Sequence, residues 1–126
     1  MNRCSMEIKT ENDVLKAMEH TSEIANKLGC LPNEQILLSL VTEESLVNAL
    51  EYGEDDLVKM YWACSDKELE ICIKQKGKMY KIEKSDQLNY GNRGRGLQLI
   101  LNIMNEVWLE QEEEDNIALY MKKRLN

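Results

Sequence analysis

The chain has 126 residues, 43% of them apolar and 31% charged, with a formal net charge of −7. That is enough apolar material for one domain, spanning 1–126, around one core, and it excludes a globally disordered chain. The acidic balance repels phosphate backbones, so direct nucleic-acid binding is not expected, and a basic protein partner suits it better. Met1 to Thr10 holds no signal-peptide apolar core, and no apolar run is long enough to span a bilayer, so no membrane association is expected. Cys4, Cys30, Cys64 and Cys72 form no CxxC pair, and only His20 could join them as an imidazole ligand. A zinc site or disulfide framework is therefore a poor fit, and a reducing cytoplasm is the natural compartment.

In chain order, Met6 to Thr10 alternates enough to form a short first strand. Asn12 or Asp13 then caps a helix that runs to about Leu28 and stops at Gly29. Its positions Val14, Leu15, Met18, Ile24, Ala25 and Leu28 have mainly helical spacing. Pro32 and Asn33 open a second helix, closed by Gly53 after about Tyr52. From Leu57 to Ser65, Val58, Met60, Trp62 and Cys64 alternate with Lys59, Tyr61 and Ala63, which is strand periodicity. Glu68 to Gln75 repeats that period with Leu69, Ile71 and Ile73 on one face, after a tight turn at Ser65-Asp66-Lys67. The polar stretch Lys84 to Asn92 reads as a loop. A short helix from about Gly94 to Met104 follows, and Val107 to Glu112 and Asn116 to Lys122 form a closing hairpin. This order predicts an α+β fold, with helices packed on one face of a mixed, mostly antiparallel sheet.

Two segments carry chemistry. Leu37, Val41, Glu44 and Asn48 follow the offsets i, i+4, i+7 and i+11, one line of the second helix. That line starts apolar and ends in a carboxylate and an amide, groups that are costly to bury unless a ligand, a metal or solvent satisfies them. The second segment is Gly91-Asn92-Arg93-Gly94-Arg95-Gly96-Leu97, glycines and two arginines ahead of an apolar helix. Free amides at a helix N-terminus beside arginines suit a phosphate group, although tight loops use glycine as well.

Together these segments resemble a known family. Glu44-Ser45-Leu46-Val47-Asn48-Ala49 is similar to the N box of the anti-sigma-factor serine kinases, which share the ATPase fold of histidine kinases and gyrase. Gly94-Arg95-Gly96-Leu97, then Ile100 and Met104-Asn105-Glu106-Val107, looks like that family's second glycine box and the segment behind it. Met121-Lys122-Lys123-Arg124-Leu125 matches its closing strand. The resemblance covers nearly the whole chain and implies ATP and Mg²⁺ as ligands. It implies that Asn48 coordinates Mg²⁺ and that Glu44 is the general base toward a substrate serine. It also implies that Arg93 or Arg95 neutralises phosphate charge, that backbone amides from Gly94 to Leu97 hold phosphate oxygens, and that Lys84 to Asn92 is an ATP lid.

At the first glycine box the chain departs from the family, whose aspartate accepts a hydrogen bond from the adenine amino group. Here the stretch is Ile73-Lys74-Gln75-Lys76-Gly77-Lys78-Met79. Gln75 stands in place of the aspartate, Gly77 is kept, and Met79 stands at the second glycine. An amide oxygen still accepts a hydrogen bond but carries no charge. The partners implied are a sigma factor and an anti-anti-sigma antagonist bearing the acceptor serine, and a homodimer is compatible. Two functions follow: a serine kinase that also binds a sigma factor, or a module of the same fold that regulates by protein contact without ATP. A third alternative is an unrelated small α+β protein.

Overall fold

Alternation of apolar and polar residues builds the sheet. In β2 (Val58–Ser65), Val58, Met60 and Trp62 are buried while Lys59 is exposed; in β3 (Glu68–Lys76), Leu69, Ile71, Ile73 and Gln75 form one buried line. The structure, a computed structural model, describes residues 2–54, 57–83 and 91–125 and, for 91–94, the backbone alone. The remaining elements are β1 (Asn2–Ile8), α1 (Glu11–Lys27), α2 (Pro32–Tyr52), α3 (Gly91–Ile103), β4 (Glu106–Gln111) and β5 (Asn116–Arg124). The strands form one sheet in the order β1-β2-β3-β5-β4. Every pairing is antiparallel, so the sheet expected to be mixed and mostly antiparallel is antiparallel throughout. Helices pack with this sheet, as the sequence implies, and α2 lies between α1 and α3. Among the described residues no helix is long and apolar enough to cross a membrane.

The helix ends follow local chemistry. α1 is capped by Thr10 rather than by Asn12 or Asp13. The Thr10 hydroxyl accepts from the Asp13 amide at 3.2 Å, and the Asp13 carboxylate accepts from the amides of Lys9 at 2.9 Å and Thr10 at 3.1 Å. This reciprocal box puts Asp13 at the third helical position, and those bonds, the one from Lys9 first, hold its carboxyl below the usual range. Gly29, at φ +90°, stops α1 in the left-handed conformation that only glycine adopts freely. α2 starts at Pro32, where Glu34 accepts from the Leu31 amide at 3.1 Å. The C-terminal end of α3 is capped from the sheet: the Lys123 ammonium donates to the Ile103 carbonyl at 2.9 Å.

One polar network crosses the core. Trp62 Nε1 donates to Thr21 Oγ1 at 2.9 Å, and the hydroxyls of Thr21 and Thr42 lie 2.8 Å apart, tying β2, α1 and α2 together. Both threonines are fully buried. Thr21→Val keeps the shape but strands the Trp62 N–H. We expect it to lower unfolding free energy by about 1–3 kcal/mol, read as a shifted urea midpoint with an unchanged slope.

The opposite sheet face carries a row in register, Tyr61, Cys72, Tyr120 and Trp108, one residue from each of four strands. The Tyr120 and Trp108 rings stack at 5.0 Å with a 9° interplanar angle. Burial pushes the Cys72 thiol up to about 11, so it stays protonated and packs as a small apolar group.

Candidate functional site

The site begins with α2, where Pro32 sets the first turn and the apolar positions Leu38, Val41, Leu46 and Ala49 seat the helix on the core. This fixes the rotation of the helix. Val41 is fully buried, Leu37 is 41% exposed, and Glu44 and Asn48 sit at the boundary, half-buried. Glu44 and Asn48 share one pocket with Val47, Glu51 and Arg95, of about 250 Å³. Asn48 also lines a second, inner pocket with Ser45, Ala49, Ile73, Gln75, Tyr80, Leu109, Ile117 and Leu119. Asn48 therefore joins an outer pocket lined by two carboxylates and a guanidinium to an inner, mostly apolar one.

Gln75 closes the inner pocket from the sheet side. It ends the buried line Leu69, Ile71, Ile73 and is itself only 9% exposed. Its Oε1 is buried with no hydrogen-bond partner. An unmet buried acceptor costs about 1–3 kcal/mol unless a ligand or water supplies a donor. The inner cavity measures about 10 Å³ in this conformation, room for about one water, and Tyr80 forms part of its wall. The donor set fits a nucleotide base at its polar edge, with Oε1 awaiting an N–H among apolar walls. A base is far larger than this volume, so its entry requires the pocket wall to open.

Glu44 meets α3 at Gly96. A Cβ on Gly96 would lie 2.8 Å from Glu44 Oε2, so the absence of a side chain there is what lets the carboxylate rest against α3. The obstructed atom is the far end of a flexible side chain, so accommodation is by rotation of Glu44 rather than of the backbone. Gly96→Ala is expected to leave stability unchanged or raise it by up to ~1 kcal/mol through helix propensity while displacing the carboxylate. Thermal melting beside a crystal structure of the variant checks both halves.

The other expected residues are placed as follows. Arg95 lines the outer pocket with Glu44 and Asn48. Arg93 and Gly94 lie in the first turn of α3, and the side chain of Arg93 is outside the described residues. α3 begins at Gly91, about one turn earlier than the expected Gly94, because nothing in Asn92-Arg93-Gly94 forbids helix and glycine only weakens it. The amides of Gly96 and Leu97 therefore fall inside the helix, and those left free belong to the turn that starts at Gly91. The Leu97 side chain is buried. Gly77 is buried with its N–H donating to the Asp115 carbonyl at 2.9 Å, so that amide is committed to the β4–β5 turn. Met79 is 48% exposed and does not line the inner pocket. The expected lid lies outside the described residues from 84 to 90, and positions 91 and 92 open α3.

Ser45, Glu51 and Tyr80 are pocket residues that the sequence reasoning passed over. Glu51 was legible, since it lies seven residues after Glu44 on the same α2 face. Tyr80 had no periodic signal, because it stands in an irregular segment after β3.

The family model described as the histidine kinase-like ATPase domain matches residues 9–123. No curated protein matches the sequence. Among solved structures, a chain of the SiaB–SiaC complex from Pseudomonas aeruginosa is similar at a TM-score of 0.63 and 13% identity, over 97% of this chain and 89% of that one. The catalytic domain of the histidine kinase ThkA in a nucleotide-free form is similar at a TM-score of 0.53 and 11% identity, over 96% of this chain and 97% of that one. At these identities the two neighbours speak for the fold, and the family model, which spans nearly the whole chain, speaks for descent. The chain belongs to the histidine kinase-like ATPase domain family.

Proposed function

We propose that residues 1–126 act as one regulatory domain of the anti-sigma-factor serine kinase type, which binds ATP with Mg²⁺ and acts on a protein partner in the cytoplasm. The observation that carries this is the partnerless, buried Oε1 of Gln75 in a pocket that Asn48 joins to the Glu44–Arg95 cleft. Gln75 takes the base edge and Asn48 holds the metal. Arg95 neutralises phosphate charge, together with Arg93 and the amides of the first turn of α3 from Gly91 to Gly94. Glu44 takes the proton from an acceptor serine hydroxyl. Bound ATP and Mg²⁺ supply the phosphoryl group and the charge neutralisation, so the protein's share is positioning and one proton transfer.

The partner is a protein. The similar chain from Pseudomonas aeruginosa was solved in a complex named for two proteins, SiaB and SiaC, and this chain's net charge of −7 suits a basic surface. A sigma factor, and an antagonist protein bearing the acceptor serine, are the partners we assign, with a homodimer as the assembly compatible with them. A second reading, a protein-binding module of the same fold without nucleotide, is favoured by one observation: with Tyr80 in its wall the inner cavity measures about 10 Å³. Calorimetric titration of the chain with ATP and Mg²⁺ separates the two. Saturable binding of about one nucleotide per chain supports the first, and no heat at millimolar ATP leaves the second.

A further inference from the structure

We infer that Gln75 makes the inner pocket a reader of both purines, adenine and guanine, rather than of adenine alone. This rests on the proposal above that the pocket takes a nucleotide base, and it adds what the pocket reads. Gln75 is 9% exposed, and its Oε1 has no partner, so among the described residues the amide is the buried side chain with an unmet acceptor. Around it Ile73, Leu109, Ile117 and Leu119 are apolar and can grip a flat ring but cannot tell one ring edge from another. Ser45 lies across the pocket, and its hydroxyl donates to the Thr42 carbonyl at 3.1 Å. Its proton is therefore committed. Of the polar lining groups, which also include Asn48 and Tyr80, Gln75 is the one whose buried acceptor is unmet, so edge recognition is assigned to it.

A carboxylate in that place would offer lone pairs only. It would accept from an exocyclic amino group and repel a ring carbonyl. A glutamine amide offers an acceptor and a donor side by side. Adenine presents an amino donor beside the N1 acceptor, and guanine presents the O6 acceptor beside the N1–H donor. One orientation of the amide matches the first pair, and a half-turn matches the second. The terminal torsion of glutamine is broad and roughly two-fold, so exchanging its ends is easy. Nothing at Gly77 blocks the exchange, since even an added Cβ there would stand 3.7 Å from Nε2, an ordinary contact. Strong rejection of a wrong ligand, about 10⁴-fold or more, needs a buried polar group left unpaired by it. Gln75 is left unpaired by neither purine.

The test is calorimetric titration of the full chain with Mg²⁺ and ATP, and separately with Mg²⁺ and GTP, for the parent, Gln75→Asp and Gln75→Leu. The parent is expected to bind both within about tenfold of each other. Gln75→Asp should lower GTP affinity about tenfold or more relative to ATP, and Gln75→Leu should weaken both alike. A parent that favours one nucleotide by about 100-fold overturns this inference and leaves the nucleotide site standing, and so does an ATP-to-GTP ratio unmoved in Gln75→Asp. Binding of neither nucleotide by the parent overturns both. The parent's own ratio carries the test if a variant fails to fold, which circular dichroism reports.

Discussion

Glutamine in place of Glu44 is expected to slow phosphoryl transfer to a protein serine by about 10²–10⁴-fold, with nucleotide affinity little changed. The substitution keeps the volume and removes the basic lone pair. Glu44 stands in the outer pocket with Asn48 and Arg95, against Gly96, and does not line the inner pocket that holds Gln75. The acceptor hydroxyl loses its base, whereas the base-reading end of the cleft is untouched. Single-turnover transfer to a serine-bearing partner, beside calorimetric ATP affinity, checks both halves. An equal loss of transfer and of affinity would show that Glu44 holds the nucleotide rather than the proton, and full retained transfer would remove the residue from the chemistry.

Trp62→Ala is expected to have the larger structural effect, a loss of about 3–5 kcal/mol in unfolding free energy. Trp62 is 2% exposed among the buried strand residues, and its indole N–H meets the Thr21 hydroxyl, which also lies 2.8 Å from Thr42. Truncation leaves a cavity and breaks the polar tie that joins β2 to the two long helices through Thr21 and Thr42. Folded domains have about 5–15 kcal/mol to lose, so much of the stability would go. Guanidinium unfolding followed by circular dichroism gives the measurement. Combined with Thr21→Val, the two losses should sum to more than the double variant shows, because they remove one shared interaction.

What could be read in advance depended on how strongly local chemistry coincides with tertiary need. β2 and β3 are buried on one face, so Val58, Met60 and Trp62, and Leu69, Ile71 and Ile73, alternate visibly. α2 is bounded by a proline and a glycine and could be delimited to within a residue or so. β1 was seen only at its end, because an edge strand with Asn2, Arg3, Cys4 and Ser5 exposed has no apolar period to display. The α1 cap was misplaced because Thr10, Asn12 and Asp13 are all capping residues, and only the Thr10–Asp13 spacing of three satisfies both bonds. In the site, Glu44 and Asn48 were visible as polar residues on an otherwise apolar helical line. Gln75 had a second signal besides its place in the glycine box, since it is the polar fourth member of a buried apolar line. Tyr80 was invisible because its position comes from the irregular chain after Gly77, which no periodicity describes.

The two tryptophans lie on opposite faces of one sheet. Trp62 is on the helix side, its ring edge-on to His20 at 4.6 Å, and Trp108 is on the open side, stacked on Tyr120 and donating its indole N–H to Glu110 at 3.0 Å. The chain therefore carries two fluorophores in different surroundings. Trp62, walled from water, is expected to emit at shorter wavelength than half-buried Trp108. Trp108→Phe isolates the inner emitter, which is expected to respond to rearrangement of the helices packed on it. Trp62→Phe isolates the outer one, which is expected to respond to a protein that covers that face of the sheet. Occupation of the cleft and coverage of the sheet can thus be followed separately, in real time, without attaching a label.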